Sequence, residues 1–154
     1  MTTAIDAQTV FSGTVTPEGA DLLNEANLTA WMEAHVEGFA GPLTQSKFAG
    51  GQSNPTYRID APSGAYVLRR KPFGVLLPSA HAVDREYKVL AGLHPTGFPV
   101  ARPFGLCTDD DVLGSWFYVM ALVDGRTIWD GTVPGATADQ RRAILAPTAA
   151  AQCA

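Results

Sequence analysis

Apolar residues first fall into register at Leu22, Leu23, Leu28, Trp31, Met32 and Val36, a spacing that predicts a helix closed by Gly38 and Gly41-Pro42. From Leu43 onward the period shortens. Thr44 to Ala49, Thr56 to Asp60 and Ala65 to Arg70 read as three adjacent antiparallel strands, separated by Gly50-Gly51 and by Ala61-Pro62-Ser63-Gly64. A loop rich in Pro and Gly, Lys71 to Pro78, leads to a second helix from about Ala80 to Leu93, stopped by His94-Pro95 and Gly97. Two more strands are expected, near Arg102 to Cys107 and Ser115 to Val123, the second too continuously apolar to have a solvated face. The order helix, three strands, helix, two strands has no helix after every strand, so it predicts an α+β fold with a five-stranded antiparallel sheet. Residues 1 to about 19 are polar and aperiodic and are expected to form a loose arm.

Composition narrows the function classes. Of 154 residues, 46% are hydrophobic and 17% charged, as in one ordinary globular domain. A net charge of -4 offers no basic field for a phosphate backbone, so a nucleic-acid partner is not expected. The start, MTTAIDAQTV, has no cationic or long apolar segment, and no run downstream approaches the roughly 20 apolar residues that cross a bilayer. The expectation is a soluble, cytoplasmic protein without a membrane partner. Cys107 and Cys153 form no C-x-x-C or Cys/His cluster and are read as free thiols. His35, His81 and His94 stand far apart, with no nucleophile elbow beside them, and are read as structural or surface residues.

Three stretches could carry chemistry, each with a plainer alternative. FAGGQSNPTYRI, residues 48 to 59, places two glycines and Ser53-Asn54 between strands. Such a turn can lay N–H groups against phosphates, but taken alone a plain hairpin turn is the better reading of Gly-Gly. It is neither a P-loop nor a Rossmann turn, because no Gly-Lys-Ser/Thr follows and Pro55 opens a strand. In the strand AYVLRR, Val67 and Arg69 share one face, and Tyr66 and Leu68 share the other. Arg69 is either solvated there or paired, while Arg70 and Lys71 read as a solvated strand end.

On the second helix, steps of about 100° from Val83 align Tyr87, Leu90 and Leu93 in an inward stripe that includes Glu86. Asp84, Arg85 and Lys88 point away. A carboxylate on a buried face requires a cation, and Arg69 on the neighbouring strand is the candidate. That pair is a structural salt bridge or the ion pair that presents a cation to nucleotide phosphates. The apolar run GSWFYVMALVDGR, from Gly114, is either core or a strand whose backbone end can bond an adenine.

Together with Pro99-Val100-Ala101-Arg102-Pro103 and YVLRRKPFGVLLPSAHAVDREYKVL, these segments resemble the aminoglycoside phosphotransferase and choline kinase-like family. The resemblance is to its phosphotransferase-like kinases also found fused to acyl-CoA dehydrogenases, and it spans roughly residues 25 to 135. It implies a protein-kinase-like N-lobe that binds ATP, with Mg in the intact family, and a small-molecule alcohol as phosphoryl acceptor. Gly50, Gly51, Ser53 and Asn54 would form the phosphate-facing hairpin, and Val67 would cover the adenine. Arg69 stands where many relatives carry a phosphate-contacting lysine, and Glu86 matches the helix carboxylate that orients it. Met120 falls at the gatekeeper position, with the Ala121 carbonyl and the Val123 N–H meeting the adenine edge.

The resemblance stops short of the catalytic machinery. The family's His-Gly-Asp loop does not occur in the sequence, no asparagine follows Asn54, and the only aspartates after Asp124 are Asp130 and Asp139. No catalytic or metal-ligating residue is therefore assigned. Thr137-Ala138-Asp139-Gln140 reads as a capping box opening a short C-terminal helix, which Pro147 would interrupt at a cost of about 3 kcal/mol. The expected organisation is an arm over 1-19, a nucleotide-binding N-lobe over 20-126, and a linker with the start of a truncated C-lobe over 127-154. Such a chain would at best bind nucleotide. The alternatives are a non-catalytic module that associates through the exposed lobe interface around Met120 to Trp129, or a non-functional fragment of a broken reading frame.

Overall fold

In a computed structural model, residues 13–49, 54–72, 82–125, 128 and 130–152 are described, side chains through residue 147. The chain divides into two compact units, 13–123 and 1–12 with 124–154. Within the first, the chain order is β1 (Thr14–Val15), α1 (Glu25–His35), β2 (Thr44–Phe48), β3 (Thr56–Ala61), β4 (Gly64–Arg70), α2 (Val83–Leu93), β5 (Pro103–Cys107), α3 (Asp110–Leu113) and β6 (Phe117–Ala121). All strands join one antiparallel sheet in the order β1-β2-β3-β4-β6-β5. The α+β class holds, with one strand more than the sequence predicts. The extra strand, β1, comes from the arm, whose Thr14 and Val15 pair with Phe48 and Lys47. Two half-polar residues carry no periodic signal of their own, so only the neighbouring strand makes them a strand.

Helix α1 begins later than its apolar spacing suggests. Asn24 caps it by accepting from the Asn27 N–H at 3.0 Å, and Leu22 and Leu23 precede the first turn. The Gln45 side chain holds that entry, accepting from the Leu23 N–H and donating to the Leu23 carbonyl, both at 2.9 Å. Leu28, Trp31 and Met32, at spacings of three and four, then bury against the sheet.

Strand parity decides which face each sheet residue takes. Tyr57 faces Leu68, Ile59 faces Tyr66, Leu68 faces Val119 and Arg70 faces Phe117 in register, and all of these side chains point toward α1. Trp31 meets Phe117 edge-on at 4.8 Å, while Phe39, Tyr66 and Phe104 form an edge-to-face chain. Gly105 is required here. A Cβ at that position would lie 3.0 Å from the Trp31 ring, so glycine lets β5 approach the helix closely.

Arg70 corrects the expected solvated strand end. It shares parity with Tyr66 and Leu68 and is only 2% exposed. Its charge is met on that face by Tyr57 and Asp21, which oppose the lowering of its pKa by burial. Asp21 also pairs with Lys47 at 2.7 Å, and the Tyr57 hydroxyl donates to the Asp21 carbonyl at 2.9 Å. A polar knot therefore ties the segment before α1 to the sheet.

Cys107 is a free, buried thiol whose pKa burial raises, and Cys153 lies outside the described residues. His35 stacks on Trp31 and bonds its carbonyl through Nδ1 at 2.8 Å, consistent with a structural role. No helix among the described residues is long and apolar enough to cross a membrane.

In the second unit, Thr137 and Gln140 form the expected capping box, each side chain accepting from the other's backbone N–H at 3.2 and 2.8 Å. Helix α4 (Ala138–Gln152) then runs through Pro147, where the sequence predicts a break. Alanine has the highest helix propensity, and the alanines flanking Pro147 favour continuation on both sides.

The α1 face carries the packing energy. Replacing the fully buried Leu68 by alanine should lower the unfolding free energy by about 2 to 5 kcal/mol, against less than about 0.5 for the exposed Val89→Ala, by urea titration.

Candidate functional site

The other face of the sheet mixes apolar and polar side chains, Val67 and Met120 beside Arg69 and Tyr118. Val67 and Arg69 on β4 stand opposite Met120 and Tyr118 on β6. Helix α2 covers this face, but its only fully buried residue is Val83. Tyr87, Leu90 and Leu93 are half-buried, so the expected inward stripe exists but is only partly covered. Ala82, at the helix start, offers no side-chain cap. Apolar burial alone therefore holds the helix loosely, and the polar contacts gain weight.

Those contacts converge on Glu86. Its Oε2 lies 2.8 Å from Arg69 Nε, as strand parity and the helical stripe together predict. The Nε–H is not aligned for a hydrogen bond, so this is a charge contact rather than a directed one. Directed bonds come from two other residues. Tyr118 donates its hydroxyl to Oε2 at 3.1 Å, and Asn54 donates its side-chain amide to Oε1 at 2.8 Å. One carboxylate thus joins β4, β6, the segment before β3 and α2.

Sequence reasoning overlooked Tyr118, since a phenol inside an apolar run resembles core. A strand-parity count would have found it, because Tyr118 falls on the face of Met120 and opposite Arg69. The resemblance predicts Asn54 as a phosphate donor. Its side chain is 2% exposed and turned to Glu86. Gly50, Gly51 and Ser53 lie outside the described residues. Val67 is buried beside the half-buried Met120. The Ala121 N–H donates to the Arg102 carbonyl at 2.8 Å, and Val123 is 66% exposed beyond the strand end. Val67, Arg69, Glu86 and Met120 are thus brought together on one face, with Ala121 and Val123 at its edge.

Between α2 and β6 this face opens into a cavity of about 650 Å³, bordered by Ala82, Arg85, Glu86, Val89, Leu90, Tyr118 and Met120. Arg85 is exposed, and Asp84 meets Lys88 at 3.7 Å on the outer side of the helix.

A profile described as the phosphotransferase enzyme family matches residues 44–154. The chain belongs to the phosphotransferase enzyme family. It is similar to mouse acyl-CoA dehydrogenase family member 11, 44% identical over 127 residues that make up 80% of this chain and 16% of that protein. The chicken protein of the same name is 47% identical over 105 residues, 68% of this chain and 14% of that one. A crystal structure from Ralstonia eutropha, titled as a candidate aminoglycoside phosphotransferase, superposes with a TM-score of 0.68 at 43% identity. That match covers 81% of this chain and 35% of the bacterial one. This phosphotransferase-family chain therefore spans about a sixth of the length of the curated relatives and about a third of the solved structure.

Burial first, and then the Glu86 charge, push the Tyr118 phenol above the ordinary tyrosine range, and Arg69 opposes them only in part. The folded state then keeps a proton that the unfolded chain releases at about pH 10. Stability is unaffected by this group below that pH and falls as pH rises through it, by up to about 1.4 kcal/mol per pH unit. Urea unfolding from about pH 8 to about pH 11 should show this decline. It should be shallower in Tyr118→Phe, with Tyr57, whose pKa burial also raises, supplying the remainder. Equal slopes would refute the assignment.

Proposed function

We propose that this chain is the nucleotide-holding lobe of an ATP-dependent phosphotransferase whose acceptor is a hydroxyl of a small metabolite. The supporting observation is the Arg69–Glu86 contact at 2.8 Å, on the same face as Val67 and Met120. A guanidinium paired on one side and still 31% exposed can turn its remaining donors toward phosphate oxygens. Met120, half-buried on the cavity wall and next in register to the buried Val67, offers an apolar surface for a purine ring, and the backbone of Ala121 and Val123 borders it. Gly50, Gly51 and Ser53 belong to the reading as the hairpin over the phosphates, with Asn54 anchoring its far end to Glu86.

The described residues gather no carboxylate cluster for magnesium, since no three His, Cys, Asp or Glu side chains among them come together. The sequence holds neither a His-Gly-Asp loop nor an asparagine after Asn54. No step of the transfer is therefore assigned to a metal or to a base of this chain. Its part is to bind and orient: the cation faces the phosphates, and the strand edge holds the base.

Titration of the whole chain with ATP, ADP and adenosine tests the proposal. ATP should bind more tightly than adenosine, and Arg69→Met should remove that advantage by roughly tenfold, the scale of one charge-assisted contact. Incubation with ATP, Mg²⁺ and alcohols, including hydroxyacyl-CoAs, should yield no phosphorylated product. An ATP affinity indifferent to Arg69 would overturn the phosphate assignment.

A further inference from the structure

Tyr118 has no task in the phosphotransferase reading, yet it sits at the centre of the face that α2 covers. Its side chain is 3% exposed. Its ring lies 6.1 Å from that of Tyr87, the residue after Glu86 on α2. Its hydroxyl donates to Glu86 Oε2, the oxygen that also meets Arg69. Arg69 and Tyr118 are direct cross-strand neighbours, so their side chains leave the same face side by side.

The two contacts on Oε2 differ in kind. Arg69 approaches closely but with its Nε–H off the line, so attraction alone would let the carboxylate rotate against the guanidinium. The Tyr118 hydroxyl comes from a residue locked in the sheet, between Arg69 of β4 and Leu106 of β5. It reaches the carboxylate from the buried side, while Asn54 fixes the second oxygen. With one oxygen bonded to β6 and the other to Asn54, the carboxylate is held against turning. A tyrosine phenol keeps its proton at neutral pH and so remains a donor, and burial raises its pKa further.

We propose that Tyr118 is a positioning residue: its hydroxyl fixes Glu86, and Glu86 in turn sets the place of the Arg69 guanidinium. That this place serves nucleotide phosphates rests on the phosphotransferase reading; the mechanical linkage does not. A ring that only filled space would be replaced by phenylalanine without consequence for Arg69.

Double-mutant cycles in urea unfolding of the whole chain separate these cases. Tyr118→Phe should be coupled to Glu86→Gln, the double variant falling short of the summed losses by roughly tenfold in the folding constant, as for a hydrogen bond to a charged group. It should be coupled in the same sense to Arg69→Met, which Tyr118 reaches through Glu86. Tyr57→Phe, a buried phenol on the opposite face, should be additive with Glu86→Gln. Additivity of Tyr118→Phe with both partners overturns the proposal. In nucleotide titrations Tyr118→Phe should weaken ATP and ADP several-fold and leave adenosine unchanged. An equal loss for adenosine also overturns it, because the phenol would then act on the whole fold. If the wild-type chain binds no ATP while the cycles show coupling, the nucleotide reading fails and the linkage stands. If ATP binds and the cycles are additive, the reverse holds.

Discussion

A single carboxylate on the inner side of a helix sets the terms for one whole face of this sheet. Glu86 is 35% exposed, too covered to be satisfied by water alone, so protein partners must supply the rest. They come from Asn54, Arg69 and Tyr118, on three different segments. Because α2 fully buries only Val83, its position depends on these polar contacts more than on apolar packing. Removing the carboxylate would therefore free the helix and the cation together.

The division of labour between the two faces follows from strand parity. Tyr57, Ile59, Tyr66, Leu68, Phe117 and Val119 pack under α1 and supply the stability. The alternate residues Val67, Arg69, Tyr118 and Met120 are then necessarily on the other face. A one-residue slip between β4 and β6 would put Arg69 into the apolar core and lose the ion pair. The register that builds the core thus also aims the site, and Gly105, by admitting the Trp31 ring, helps keep α1 tight against the sheet.

The parts of this arrangement that were legible in the sequence are those governed by local periods. Val67 with Arg69, and Glu86 with Val83, follow from the two-residue and 3.6-residue repeats, so their meeting could be anticipated. Arg70 obeys the same parity as Tyr66 and Leu68, but the Arg-Arg-Lys cluster points to solvent, and its charge masks the pattern. Tyr118 was hidden for the opposite reason, since apolar neighbours masked its hydroxyl. Its bond to Glu86 spans 32 residues, a separation that no local pattern encodes. Strand β1 carries too short a signal to be read without its partner. Helix α4 shows that one proline does not outweigh a capping box and a run of alanines.

The arginine at position 69 suits the proposed task better than a lysine would in this setting. A lysine has one ammonium, which would have to divide its three protons between Glu86 and a phosphate from the same point. In Arg69 the inner nitrogen, Nε, takes the Glu86 side, at 2.8 Å. The two terminal amino groups lie farther along the planar fork, so the guanidinium can span a carboxylate and a phosphate without either displacing the other. The rigidity of that fork has a consequence. A displacement of Glu86 shifts the charge that holds Nε, and the rigid fork carries that shift to its far end, whereas a flexible lysine stem would absorb it. An arginine here therefore demands a better-fixed carboxylate, and the Tyr118 hydroxyl and Asn54 amide, one on each oxygen, meet that demand.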